Sequence, residues 1–258
     1  MTVEVIVFVF IFGLVIGSFL NVVIYRLPEH QSIVSPGSHC PHCGKPIKPY
    51  DNIPLMSYMI LRGRCRYCGN RISLRYPAVE LITGLLAAGL FIKYGLTIDL
   101  MVFFILSTGL TAITFIDIDH GIIPNSLSYP GIIIGFASSF FVSINNPISS
   151  IIGMLTGAGI LFVTAFTYKA VTGVEGMGMG DVKLMAAIGA FLGWEAAIFT
   201  VIISACIGAL AGVTLILFAG KGRRYAIPYG PFISLSAVVY LFYGHALISL
   251  YLRMIGYA

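Results

Sequence analysis

The chain has 258 residues, 58% of them hydrophobic and only 10% charged, with a formal net charge of +5. Its mean hydropathy is +0.97. Soluble domains carry about 25% charged residues and disordered chains combine low hydrophobicity with high net charge, so neither class fits. An outer-membrane barrel would alternate polar and apolar residues in segments of ~10, and runs such as 81–91 do not alternate.

A helix of about 20 apolar residues crosses ~30 Å of hydrocarbon. Taken in chain order, the apolar runs predict spans at about 2–25, 76–94, 98–117, 122–143, 148–170, 182–194, 196–219 and 228–252. The first lacks the basic flank and cleavage site of a signal peptide and reads as a retained span. The sixth is too short for a straight crossing, which suits a short, broken or half-span helix lining a cavity. The expected fold is an all-α polytopic membrane protein of about eight transmembrane helices, with a small polar domain between helices 1 and 2. Its expected divisions are a first span at 1–25, a polar domain at 26–75 and a membrane-embedded domain at 76–258.

Basic residues set the orientation. Placing 26–75 in the cytoplasm puts Arg26, Lys45, Lys48, Arg62, Arg64, Arg66, Arg71, Arg75, Lys169, Lys183, Lys221, Arg223 and Arg224 inside, and only Lys93 and Arg253 outside. That asymmetry follows the positive-inside rule and supports an even number of spans with both ends outside. In a membrane protein such charges answer to topology, and no nucleic-acid partner is expected.

The 26–75 segment holds Cys40-Pro41-His42-Cys43 and Cys65-Arg66-Tyr67-Cys68, each followed by glycine. Two such turns can present four thiolates to a closed, tetrahedral, structural Zn2+. Two disulfides would satisfy the same spacing, but cytoplasmic thiols stay reduced. With few core residues, this domain would draw much of its folding free energy from the metal.

Only ten carboxylates occur in the chain. Asp117 and Asp119 lie near the predicted cytoplasmic end of the third span, and Asp181 closes Gly176-Met177-Gly178-Met179-Gly180-Asp181 where the sixth begins. Carboxylates at membrane depth usually face a cavity. Two from separate helices can share a proton, one acting as general base on water while the other donates to a carbonyl. Gly178 and Gly180 would let backbone or substrate approach closely. As an alternative, Asp181 and Asp119 cap helices; Asp117 at a helix C-terminus has no such role.

These residues, with Gly17-Ser18-Phe19-Leu20-Asn21-Val22-Val23-Ile24-Tyr25-Arg26-Leu27-Pro28, Arg71 through Glu80, Pro124 and Gly178-Met179-Gly180-Asp181-Val182-Lys183 in order, resemble the bacterial type IV prepilin peptidases, GxGD-type aspartic proteases of the inner membrane. The resemblance runs from the first span to residue 194. It implies Asp117 and Asp181 as the catalytic pair, with Asp119 the alternative at the first position. It implies cleavage of prepilin or pseudopilin leaders after a glycine at the cytoplasmic face, with membrane lipid and pilus or type II secretion assembly machinery as surroundings. It further implies N-methylation of the new terminus using S-adenosylmethionine, tied to the zinc-bearing segment, with Gly63 and Arg64 as candidates. No glycine-rich nucleotide fingerprint is present. A proton-coupled transporter, a membrane-anchored zinc module and a peptidase without methylation are the competing readings.

Overall fold

In a computed structural model, the described residues are 2–174, 176–218 and 227–256. Lys221, Arg223 and Arg224, counted above among the inside charges, lie outside them. Among the described residues the chain is helical, with two isolated β-bridges, His39 to Pro46 and Arg64 to Arg71. The helices are α1 (Val3–Arg26), α2 (Met56–Ile60), α3 (Arg75–Tyr94), α4 (Ile98–His120), α5 (Asn125–Ser138), α6 (Pro147–Thr172), α7 (Met179–Phe218) and α8 (Gly230–Met254). Six of them (α1, α3, α4, α6, α7 and α8) are long and apolar enough to cross a membrane.

The eight predicted spans match eight helical segments, because α7 is two helices joined at Gly193, whose φ of +84° no helix contains. The break frees carbonyls that an unbroken helix would bond internally. Asn145 Nδ2 donates to Ala190 O at 3.0 Å and to Phe191 O at 3.1 Å, and Ser150 Oγ to Ala190 O at 2.8 Å. The first arm, 179–192, is thus the short sixth segment that the sequence anticipates, about 21 Å long at 1.5 Å per residue. The fourth segment is shorter than expected. α5 spans 125–138 rather than 122–143, and Ser138 and Ser139 hydroxyls bond the carbonyls of Gly135 and Phe136 in its last turn.

Helices meet where side chains are small, as membrane packing favours. A Cβ on Gly13 would lie 2.7 Å from the Ala87 Cβ, and one on Gly17 would lie 2.7 Å from the Glu80 Cα, so α1 and α3 touch almost backbone to backbone. Gly153 of α6 meets Gly189 of α7 in the same way, a Cβ there falling 2.5 Å from the Gly189 carbonyl. Apolar side chains such as Phe8, Phe12 and Phe19 of α1 face outward, as lipid contact requires. The buried core joins Phe103, Leu106 and Ile113 of α4 to Met185, Ile188 and Phe191 of α7 and to Ile233 and Leu241 of α8.

Successive helical segments alternate in direction, so the bundle has two distinct ends. At one lie the cysteine segment, the end of α4, and the starts of α7 and α8. At the other, Lys93 Nζ donates to the Leu241 and Phe242 carbonyls, and the Asp99 carboxylate accepts from Ser143 N–H and hydroxyl.

Candidate active site and metal centre

Each CxxC pair folds into the same turn. Cys40 N–H donates to Lys45 O and Gly44 N–H to Cys40 O; Cys65 N–H donates to Asn70 O and Gly69 N–H to Cys65 O. Gly44 and Gly69 sit at φ of +67° and +71°, a left-handed conformation that glycine adopts without penalty. The turns face each other and bring all four Sγ atoms within 4.8 Å of one another. The Cys40 and Cys68 sulfurs are 3.9 Å apart. Thiolates about 2.3 Å from a tetrahedral ion would stand about 3.8 Å apart, so the donor set fits a metal such as zinc. All five cysteines are free thiols, against the disulfide alternative. Backbone N–H groups of Cys68 and Tyr67 pull the Cys65 thiol down to about 7, while desolvation and the neighbouring cysteine sulfurs push the Cys68 thiol up to about 11, so the metal-free cluster shares its protons unevenly.

The segment is fastened to the bundle by polar contacts. The buried Arg26 guanidinium donates to Ser32 O at 3.0 Å and Gly37 O at 3.3 Å. Within the segment Arg66 grips Asp51 through Nε and Nη2, at 2.8 and 2.5 Å, and these hydrogen bonds, with the charge behind them, hold the Asp51 carboxyl below the usual range.

Asp117, in the last turn of α4, and Asp181, in the first turn of α7, are both buried. They line one pocket of about 250 Å³ with Gly121, Ile123, Gly178 and Gly180, close enough to interact electrostatically. Gly230 N–H donates to Asp117 Oδ2 at 2.9 Å, and Gly178 O accepts from Asp181 N–H at 3.2 Å. Gly180 packs on Ile123, where a Cβ would come within 2.9 Å. Lys183, also on the pocket wall, has its ammonium held by Asn125 Oδ1 at 2.8 Å and over the Tyr129 ring.

The structure separates Asp117 from Asp119. Asp119 lies inside α4, not ahead of α5 as a cap, and it forms an ion pair with Arg75 outside the pocket. His120, the last residue of α4, is exposed. Gly63 and Arg64 do not line a cavity with the aspartates; Gly63, at φ +65°, packs under Tyr58, and Arg64 bridges to Arg71. Gly230 is a site residue that the sequence reading missed. Its signal was Tyr229-Gly230-Pro231 at the mouth of the last span, a turn with no charged side chain to draw the eye.

Fold and pocket together define a polytopic helical membrane protein with two buried aspartates at one end and a four-cysteine module beside them. Residues 11–94 match the model of the bacterial peptidase A24 N-terminal domain, and residues 104–213 match that of the type IV leader peptidase family. The prepilin leader peptidase/N-methyltransferase of Aeromonas hydrophila is 38% identical over 95% of this chain and 92% of its own length. Those of Pseudomonas putida and Pseudomonas aeruginosa are each 34% identical, over 96% and 95% of this chain and 93% and 92% of their own lengths. The chain belongs to the type IV leader peptidase family. No solved structure matches it.

Proposed function

We propose that the protein is a prepilin peptidase and N-methyltransferase of the bacterial inner membrane, with Asp117 and Asp181 as its peptidase dyad. The observation that carries this is their burial in one pocket, from helices 64 residues apart in sequence, at the end of the bundle that holds the cysteine module. Carboxylates at one end suit hydrolysis of an interfacial peptide bond; a proton path would place them near the midplane.

In the dyad one carboxylate takes a proton from water, which attacks the scissile carbonyl, while its protonated partner donates to the carbonyl oxygen. Collapse of the tetrahedral adduct breaks the C–N bond; the proton taken from water goes to the leaving amine, and one hydroxyl of the adduct returns its proton to the second carboxylate. Gly230 N–H fixes Asp117 while its other oxygen remains for the water. Glycine at 178 leaves the wall beside Asp181 open, suiting an extended substrate, and glycine at 180 lets Ile123 pack closely there.

Arg26, Lys45, Lys48, Arg62, Arg64, Arg66, Arg71 and Arg75 all lie at the dyad end, which supports a cytoplasmic orientation for it. A prepilin or pseudopilin, with a basic leader and a hydrophobic helix in the bilayer, would present its cleavage site at that level, after a glycine where the cleft is narrow. We assign 76–258 to the peptidase and 26–75, with Zn2+ on Cys40, Cys43, Cys65 and Cys68, to methyl transfer. S-adenosylmethionine would supply an electrophilic methyl group on its sulfonium. Pilus or type II secretion assembly is the setting in which such a product is used.

The test is purified protein in detergent with a synthetic prepilin, with and without S-adenosylmethionine, read by mass spectrometry. Loss of the leader with a gain of about 14 Da on the new terminus is expected. An untouched substrate with correctly folded protein overturns the reading.

A further inference from the structure

A second cavity is separate from the aspartate pocket. It measures about 400 Å³ and lies where α1, α3 and the cysteine segment meet, with Ser18, Asn21, Tyr25, Ser57, Tyr76 and Glu80 on its wall. Its volume falls in the range of small-molecule sites, about 300–1,000 Å³.

Two acceptors in it are buried with lone pairs to spare. Asn21 is 6% exposed; its Nδ2 donates to Tyr76 O at 3.0 Å, but its Oδ1 is buried with no partner. Buried polar atoms are normally paired, and an unpaired one calls for an explanation. Glu80 is 9% exposed, and its Oε2 accepts from Leu55 N–H at 2.8 Å. Leu55 is held at φ +58°, a conformation rare for a branched side chain and commonest at functional sites. Arg75, also on this wall, pairs with Asp119, two residues from Asp117 in the last turn of α4. An uncharged amide oxygen and a carboxylate, both acceptors, can hold cationic groups, and Lys45 and Arg71 on the same wall can hold a carboxylate, so the lining with its aromatic rings matches a zwitterionic ligand of nucleoside size.

Building on the methyl transfer proposed above, we infer that this cavity is the methyl-donor site, with Glu80 and Asn21 Oδ1 as the acceptors that hold the donor's cationic groups. S-adenosylmethionine carries two, a sulfonium and an ammonium. Glu80 thereby has a binding role besides bracing the cysteine segment, and the donor sits on the α1–α3 face of the dyad rather than at Gly63 and Arg64.

The test is calorimetric binding to the full-length, zinc-loaded protein in detergent, with S-adenosylmethionine and with its neutral analogue 5′-methylthioadenosine, alongside the cleavage assay. Glu80→Gln keeps an oxygen to accept from Leu55 N–H and removes only the charge. It is expected to weaken S-adenosylmethionine at least tenfold and 5′-methylthioadenosine less than twofold, with cleavage within twofold of wild type. Val22→Phe, which fills the same cavity, is expected to abolish binding of both ligands and methyl transfer while prepilin is still cut. Equal weakening of both ligands in Glu80→Gln would make Glu80 a brace and overturn its binding role. Undiminished binding in both variants would place the donor elsewhere and leave the proposed function standing. Should Glu80→Gln fail to fold, Val22→Phe decides by the same criterion. A wild type that cuts prepilin but binds no donor would overturn the methylation half of the function and this inference with it.

Discussion

The backbone N–H of Gly230 donates to Asp117 Oδ2 at 2.9 Å, joining residues 113 positions apart. A Cβ at 230 would stand 2.7 Å from that oxygen and 3.2 Å from the Asp117 carboxyl carbon, so either the carboxylate or the start of α8 must move. A displacement of about 1 Å in a catalytic group can cost on the order of 100-fold in rate. Gly230→Ala is therefore expected to lower cleavage at least tenfold without loss of membrane insertion. A wild-type rate would show that this hydrogen bond does not position Asp117.

Asp117→Asn and Asp181→Asn should each reduce cleavage by about 10²–10⁴, the usual contribution of a general acid or base. Asp119→Asn removes only a partly exposed ion pair with Arg75, worth about 0–1 kcal/mol, and is expected to leave cleavage within about threefold. All three are read by mass spectrometry of the same synthetic prepilin. A loss at Asp119 matching that at Asp117 would reverse the assignment within the Asp-x-Asp pair.

The cysteine module should be pH- and metal-dependent. Cys65 titrates at about 7 in the fold, below the ordinary thiol value of 9.0, because backbone N–H groups face its sulfur. A depressed thiol stabilises the fold fully above the unfolded value. That contribution is lost as pH falls from 9 towards 7, and below 7 protons compete directly with the metal. Zinc retention, measured with a colorimetric chelator, is expected to drop as pH falls below about 7. Metal-stripped protein should be cut faster by a protease within 27–74. Unchanged resistance after stripping would mean the four thiols do not hold a structural ion.

Gly193→Ala tests the joint of α7. A side chain at φ +84° is strained by about 1–3 kcal/mol, and its Cβ would fall 2.5 Å from Ser149 Oγ and 2.9 Å from Asn145 Oδ1. The variant is expected to lower the thermal midpoint in detergent and the yield of folded protein, and with them cleavage, because the arm that begins at Asp181 ends at this residue. A midpoint equal to wild type would show that the joint tolerates a different backbone path.

Much of this architecture is legible in one dimension because lipid allows few solutions. Apolar runs must be helices there, since every backbone polar group needs an internal partner. The segment at 182–194 stood out as too short, and it is the arm that Gly193 terminates. Asn21, a polar residue inside an apolar run, bonds across to α3 at Tyr76 O. Gly13 and Gly17, four residues apart on one face of α1, lie against α3. The limits of α5 were less legible: apolar residues continue past Ser138, while local hydroxyls close its last turn.

The sequence by itself determined the membrane class, the order of the helices and the family, and it singled out the cysteines and aspartates. Composition and spacing suffice for these because they are local properties of the chain. Tertiary structure alone decided which aspartate of the Asp117 and Asp119 pair faces Asp181, that Gly230 serves Asp117, and that Asn21 and Glu80 share a cavity with the cysteine segment. Each depends on the rotation of one helix against another, where two residues on the same strip of sequence point to different neighbours, and that rotation is set by packing over the whole bundle.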